Sequence, residues 1–355
     1  MLSVVPFALL GCWKTEFAVL TADSLDFVPA SGGPADWSVS TFEADLECPD
    51  GARPSFAIVH PSDADPDDPP MPVAVIYHSG SFDFVLAPEA GEPLTGAHYA
   101  EPGRLDQTFA VRQVFATLGM TPDATGTEVH DGSFVAALAQ RGVASLLAPN
   151  CWGDLWHNAS GTAGNEFTAD FFRRNGRTSA EWAFRFASEP LFRDVLGVTL
   201  PITPDIDRIY IVGLGEGSRA VGEVLSLDVD RDGDVDLFPA AALVDSPADN
   251  LRVVFEDPAE YGNAINGLLR IFPEGEDATD VGALWNAPIS SAFGLVYSAD
   301  DSAVPVGSND ALIDRLAGQT GAWVRPVVGS GHVWLDGADH ELTAEAADWL
   351  VAAGR

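Results

Sequence analysis

Ile209-Tyr210-Ile211-Val212-Gly213-Leu214-Gly215-Glu216-Gly217-Ser218 decides how this chain is read. The apolar run ending at Val212 suits a strand buried on both faces, and we place that strand over 208–212. Small residues then alternate through a turn, and Ser218 to Leu225 has helical spacing. The stretch therefore predicts a strand, a sharp turn and a helix. A dinucleotide loop is the other reading of such a turn. Gly213-x-Gly215-x-Gly217 lacks the G-x-G-x-x-G spacing and lies mid-chain, which counts against it.

Outward from this stretch, strands and helices alternate. Pro72 to Tyr77 and Val143 to Ala148 read as buried strands, with a helix from Phe134 to Gln140 stopped by Gly142. Ser179 to Leu196 has helical spacing. Ala240–Val244, Phe293–Tyr297 and Ala322–Val328 read as strands, and Leu342–Ala353 as a closing amphipathic helix. Upstream, Phe42–Glu47 and Ser55–His60 alternate around Pro49-Asp50-Gly51, which predicts an antiparallel hairpin. This order implies βαβ units, a mainly parallel sheet and helices on both faces. Residues 81–130 and 248–290 exceed what a crossover needs. They read as lid-like insertions over the carboxyl edge of the sheet, where ligands bind in such folds.

The 355 residues are 46% hydrophobic, enough for a large core and against disorder. Asp and Glu number 53 against 18 Lys and Arg, a net charge of −35. Neutralising phosphates needs basic side chains, so this balance excludes an ordinary nucleic-acid binder and a polybasic membrane patch. The acid excess is spread along the chain and reads as a heavily hydrated surface, as in a salt-adapted or extracellular protein. Residues 1–12 are apolar and end in Leu9-Leu10-Gly11-Cys12, which resembles a bacterial lipobox. That implies a lipid anchor at Cys12 and an extracytoplasmic location; residues 13–355 read as a single domain. No Lys or Arg precedes the apolar run, a departure from such signals. Cys48 and Cys151 then either pair, as exported cysteines do, or stay free.

Three segments, in chain order, carry a resemblance. Val75-Ile76-Tyr77-His78-Ser79-Gly80-Ser81 runs a strand into a His and small residues, similar to the oxyanion loop of esterases and lipases. The 209–218 stretch has the layout of a nucleophile elbow, with small residues two before and two after its centre. Tyr297-Ser298-Ala299-Asp300-Asp301-Ser302-Ala303-Val304-Pro305 and Gly329-Ser330-Gly331-His332 resemble the acid and base segments of a hydrolase triad. The order elbow, acid, base is that of the α/β-hydrolase superfamily, nearest its esterase and acyl-peptidase-like branches. The resemblance covers roughly residues 41 to 353. It implies an α/β-hydrolase fold with an eight-stranded type of sheet, and ester or acyl hydrolysis through Ser, His and Asp.

Carried over residue by residue, Asp301 is the acid, with Asp300 beside it, and His332 is the base. His340 reads as a surface residue at the start of the last helix. Ser79, Gly80, Ser81 and the Glu216 N–H would form the oxyanion site. The centre of the elbow, however, is Gly215, which has no nucleophile. Ser218 is a poor substitute, because Glu216 at its minus-two place would crowd the turn. Two accounts of Gly215 stay open. One is a natural pseudoenzyme that binds a small-molecule or peptide ester-type ligand; the other is a hydrolase from which the serine was removed.

Two further segments stand apart. Asp228, Asp230, Asp232, Asp234 and Asp236 with Gly233 open as a D-x-D-x-D-G calcium loop, with Pro239 where an EF-hand has its bidentate Glu. Structural Ca²⁺ is expected there, against the alternative of an acidic solvated loop. A third functional hypothesis follows, a calcium-stiffened extracytoplasmic binding protein on a hydrolase fold. Asn150-Cys151-Trp152-Gly153-Asp154-Leu155-Trp156-His157 reads either as a pocket lining or as a packed loop.

Overall fold

The computed structural model describes residues 24–29, 37–43, 55–77, 120–123, 126–129, 134–148, 180–215, 217–227, 236–247, 291–301, 307, 309–329, 334–335 and 340–355. The strands are β1 (Ser24–Pro29), β2 (Trp37–Glu43), β3 (Ser55–Pro61), β4 (Met71–Tyr77), β5 (Met120–Asp123), β6 (Gly126–Val129), β7 (Ala144–Ala148), β8 (Pro204–Leu214), β9 (Ala241–Asp245), β10 (Ala292–Ser298) and β11 (Trp323–Val327). The helices are α1 (Phe134–Ala139), α2 (180–188), α3 (Pro190–Leu196), α4 (Gly217–Leu225), α5 (Asp310–Leu316) and α6 (His340–Ala353).

One sheet has the order β11-β10-β9-β8-β4-β7-β3-β2-β1-β6-β5. From β7 to β11 every neighbour pairs in parallel, and β3 and β2 add antiparallel strands at one side. The α/β reading holds. Its cause is visible in the strands, which are apolar at successive positions because both faces are covered. Val73, Val75, Ile209, Ile211, Ala242 and Val244 pack on the face of α2, α4 and α5. The alternate residues Ala74, Ile76, Tyr210, Val212, Ala241 and Leu243 pack on the face of α1 and α6. The strand period of two thus sorts one sequence run into two cores.

Three elements differ from expectation. The antiparallel pairing is present, but its first strand starts at Trp37, upstream of the expected Phe42, with Trp37 opposite Pro61 and Glu43 opposite Ser55; residues 44–47 lie outside the described residues. Trp37 is buried at that pairing, which accounts for the strand reaching upstream of Phe42. The helix expected over 179–196 is two helices. Pro190 forces the break: Glu189 is extended at φ −117° and ψ 98°, as the residue before proline prefers, and α3 restarts with proline in its first turn. Gly197, at φ 64°, then closes α3 in the left-handed cap. Finally, β5 and β6 lie within residues 81–130; they pair with each other, and β6 pairs with β1.

Candidate active site

The site grows from the carboxyl ends of β4, β8, β9 and β10. Tyr77 ends β4 opposite Gly213 of β8, Leu214 lies opposite Asp245 of β9, and Asp245 opposite Val296 of β10. Loops leaving these strands therefore start side by side at one edge. The oxyanion candidates Ser79, Gly80 and Ser81 follow Tyr77 within four positions but lie outside the described residues. So do Glu216 and His332, the cysteines Cys12, Cys48 and Cys151, and residues 149–157.

Gly215 sits between β8 and α4, and its φ of 54° is one that side-chain-bearing residues rarely adopt. Its N–H donates to the Asp245 carbonyl at 2.8 Å, and its carbonyl accepts the Ser218 N–H at 3.0 Å. The chain folds back so tightly that a methyl group on Gly213 would lie 2.4 Å from Ser218 Cα. Ser218 is buried within this turn. Its hydroxyl donates to the Gly213 carbonyl at 3.1 Å, 3.4 Å from the Asp245 carbonyl. It is the turn's internal brace, with its oxygen committed to main-chain carbonyls.

On the acid side, Ser298 ends β10. Its hydroxyl donates to the Gly329 carbonyl at 2.6 Å and accepts the Asp300 N–H at 3.1 Å. One hydroxyl thus ties the start of the Asp301 loop to the start of the His332 loop. Asp301 is half-buried and Asp300 exposed. Gly329, at φ 141°, lets the Trp334 ring lie against the main chain, because a Cβ there would meet it at 2.8 Å.

Asp245 was not foreseen. It is wholly buried, and its Oδ2 accepts the N–H groups of Trp334 at 2.7 Å and Leu335 at 2.8 Å. Its Oδ1 accepts the Ser246 hydroxyl at 3.0 Å. Ser246 follows at φ 50°, a costly conformation for a non-glycine, held by its N–H on the Val296 carbonyl at 2.9 Å. The signal was present in the sequence: Ala241-Ala242-Leu243-Val244-Asp245 is a buried strand ending in a charge at the ligand-bearing edge. Below the turn, the buried Tyr77 hydroxyl donates to the Ala180 carbonyl at 2.8 Å, and burial holds its phenol well above the ordinary range. Of the calcium candidates, Asp228, Asp230, Asp232 and Asp234 lie outside the described residues; Asp236 is exposed, and its N–H donates to the Leu227 carbonyl at 2.9 Å. His340 is the first residue of α6.

Among the described residues, this edge gathers the tight turn at Gly215, the buried carboxylate of Asp245 and the half-buried Asp301. No protein-family model and no curated protein matches the chain. Solved structures do. An esterase of Rhizomucor miehei matches at a TM-score of 0.53 and 10% identity, over 91% of this chain and 84% of its own. Esterase B from Lactobacillus rhamnosis matches at 0.52 and 12%, over 90% and 89%. Oligopeptidase B from Leishmania major matches at 0.52 and 13% over 92% of this chain, which spans only 38% of that longer protein. These identities speak for the fold and not for a shared activity. With the strand order above, they show that the chain has the α/β-hydrolase fold.

Proposed function

We propose that this protein carries the frame of a serine-hydrolase acyl-transfer site with glycine at the nucleophile position, and that it binds a small-molecule or peptide ester-type ligand without acylation. One observation carries the reading: Gly215 occupies the apex between β8 and α4 at φ 54°, hydrogen-bonded to the Asp245 carbonyl. A nucleophile elbow needs its central residue at such a strained, forward-facing turn. Gly213 supports it, since its place two residues earlier has no room for a side chain.

In this reading, Asp301 orients the His332 imidazole and steadies its cation. His332 would take the proton from a nucleophile at 215, and the Glu216 N–H with the Ser79–Ser81 loop would receive the oxyanion. The ligand carbonyl still meets those donors, but no oxygen attacks it.

The test is stopped-flow kinetics with an activated aryl ester. The unaltered chain should show no burst of aryl alcohol. A slow steady rate is compatible, because binding and an oxyanion site without a full triad still give on the order of 10³–10⁴-fold over water. Gly215→Ser should show a burst of one equivalent: the new Oγ attacks the ester carbon, its proton passes to His332, and the aryl alcohol leaves with that proton. A burst from the unaltered chain would refute the proposal.

A further inference from the structure

We propose that Asp245 is a positioning residue that fixes the spacing between the elbow and the segment bearing His332; this rests on the acyl-transfer reading of the site. Its main chain and side chain serve opposite ends of the site. The Asp245 carbonyl accepts the Gly215 N–H at 2.8 Å, which holds the apex of the turn. Its carboxylate accepts the N–H groups of Trp334 and Leu335, two and three residues after His332. One rigid strand-end residue, paired to β8 at Leu214 and to β10 at Val296, thus bonds both the nucleophile position and the chain beside the base.

The chemistry suits a fixed anchor. Hydrogen bonds from N–H groups to a carboxylate are shorter and stronger than neutral ones, and in a buried site water does not compete. The carboxylate is wholly buried, so releasing this loop would strand a desolvated charge. Ser246 adds direction: its hydroxyl on Oδ1 fixes the carboxylate plane so that Oδ2 faces the two amides. Trp334 is held from its other side, with its ring against Gly329, whose carbonyl accepts the Ser298 hydroxyl at the acid end.

The first experiment needs no catalysis. Imidazole resonances of the seven histidines are assigned in the unaltered chain, in Asp245→Asn and in Asp245→Ala. The Asn carbonyl can still accept both amides, so His332 should keep its resonance in Asp245→Asn and move in Asp245→Ala, while the other histidines stay in place. An unmoved His332 in a folded Asp245→Ala overturns the proposal. Should Asp245→Ala not fold, amide exchange in the unaltered chain decides. Trp334 and Leu335 should be protected at least ~100-fold, and free exchange at both overturns the proposal. In the Gly215→Ser background, Asp245→Ala should lower the acylation rate about 10- to 100-fold with KM unchanged, since misplacing a catalytic group by an ångström has that effect. Asp245→Asn should restore the rate. If Gly215→Ser is inert while His332 still moves, the acyl-transfer reading fails and the anchoring role stands. If Gly215→Ser acylates and Asp245→Ala acylates equally fast, the anchoring role fails alone.

Discussion

Two glycines of this chain, Gly213 near the end of β8 and Gly142 just before β7, differ sharply in expected tolerance. A methyl group at Gly213 would meet Ser218 Cα at 2.4 Å, Ser218 N at 2.6 Å and the Gly217 carbonyl at 2.7 Å, all main-chain atoms that no side-chain rotation can move. Gly213→Ala should therefore cost at least the upper end of the about 1–3 kcal/mol usual for overpacking. At Gly142 nothing lies within 4 Å and only a φ of 70° opposes a side chain. Gly142→Ala should cost only about 1–2 kcal/mol of left-handed strain. Melting temperatures of the two variants check this; equal shifts would contradict the tight turn at the elbow. Such crowding is not written in residue types. The small residues were legible, whereas which of them is required depends on how closely α4 doubles back on β8.

Elements show the same division between pattern and context. Strand period and the order of strand and helix revealed the α/β architecture, because burial on both faces leaves a long apolar run. Helix continuity over 179–196 was misread, because a proline that suits a helix start also breaks the one before it. The oxyanion, acid and base segments were read from small residues and order alone; of their candidate residues Asp301 is described, whereas Ser79–Ser81 and His332 lie outside the described residues. Asp245 was missed because its partners are main-chain amides some ninety residues away, and no local spacing encodes them. Two tyrosines on the adjacent strands β4 and β8, packed on opposite faces of the sheet, test how polar groups are treated in this core. Tyr77 donates to the Ala180 carbonyl, while the wholly buried Tyr210 hydroxyl has no partner among the described residues. Tyr77→Phe should lose about 0.5–1.5 kcal/mol, the net worth of one hydrogen bond, while the Ala180 carbonyl keeps its bond within α2. Tyr210→Phe should be neutral or stabilising, since it removes a desolvated hydroxyl without breaking a bond. Chemical denaturation of both variants decides, and a larger loss at Tyr210 than at Tyr77 would contradict this account.

At the scale of the molecule, a charge of −35 over 355 residues sets a self-repulsion that the described ion pairs do little to offset. Arg141–Asp348 and Arg325–Glu345 are on or near the surface, where a pair contributes roughly 0–1 kcal/mol. Salt weakens both effects, with a Debye length of roughly 10 Å at 0.1 M, and the repulsion is the larger. The melting temperature should rise from dilute buffer to molar sodium chloride, measured with chelator present so that cation binding near Asp228–Asp236 does not contribute. A flat or falling response would show that the acidic surface does not destabilise the fold. The whole arrangement, however, turns on one position. The most direct test is intact-mass and peptide mapping after exposure to a serine-directed phosphonate. The account predicts no adduct on the unaltered chain and one phosphonyl group on Gly215→Ser, mapped to residue 215. An adduct at Ser218 in the unaltered chain, or a folded Gly215→Ser that stays unlabelled, would contradict it.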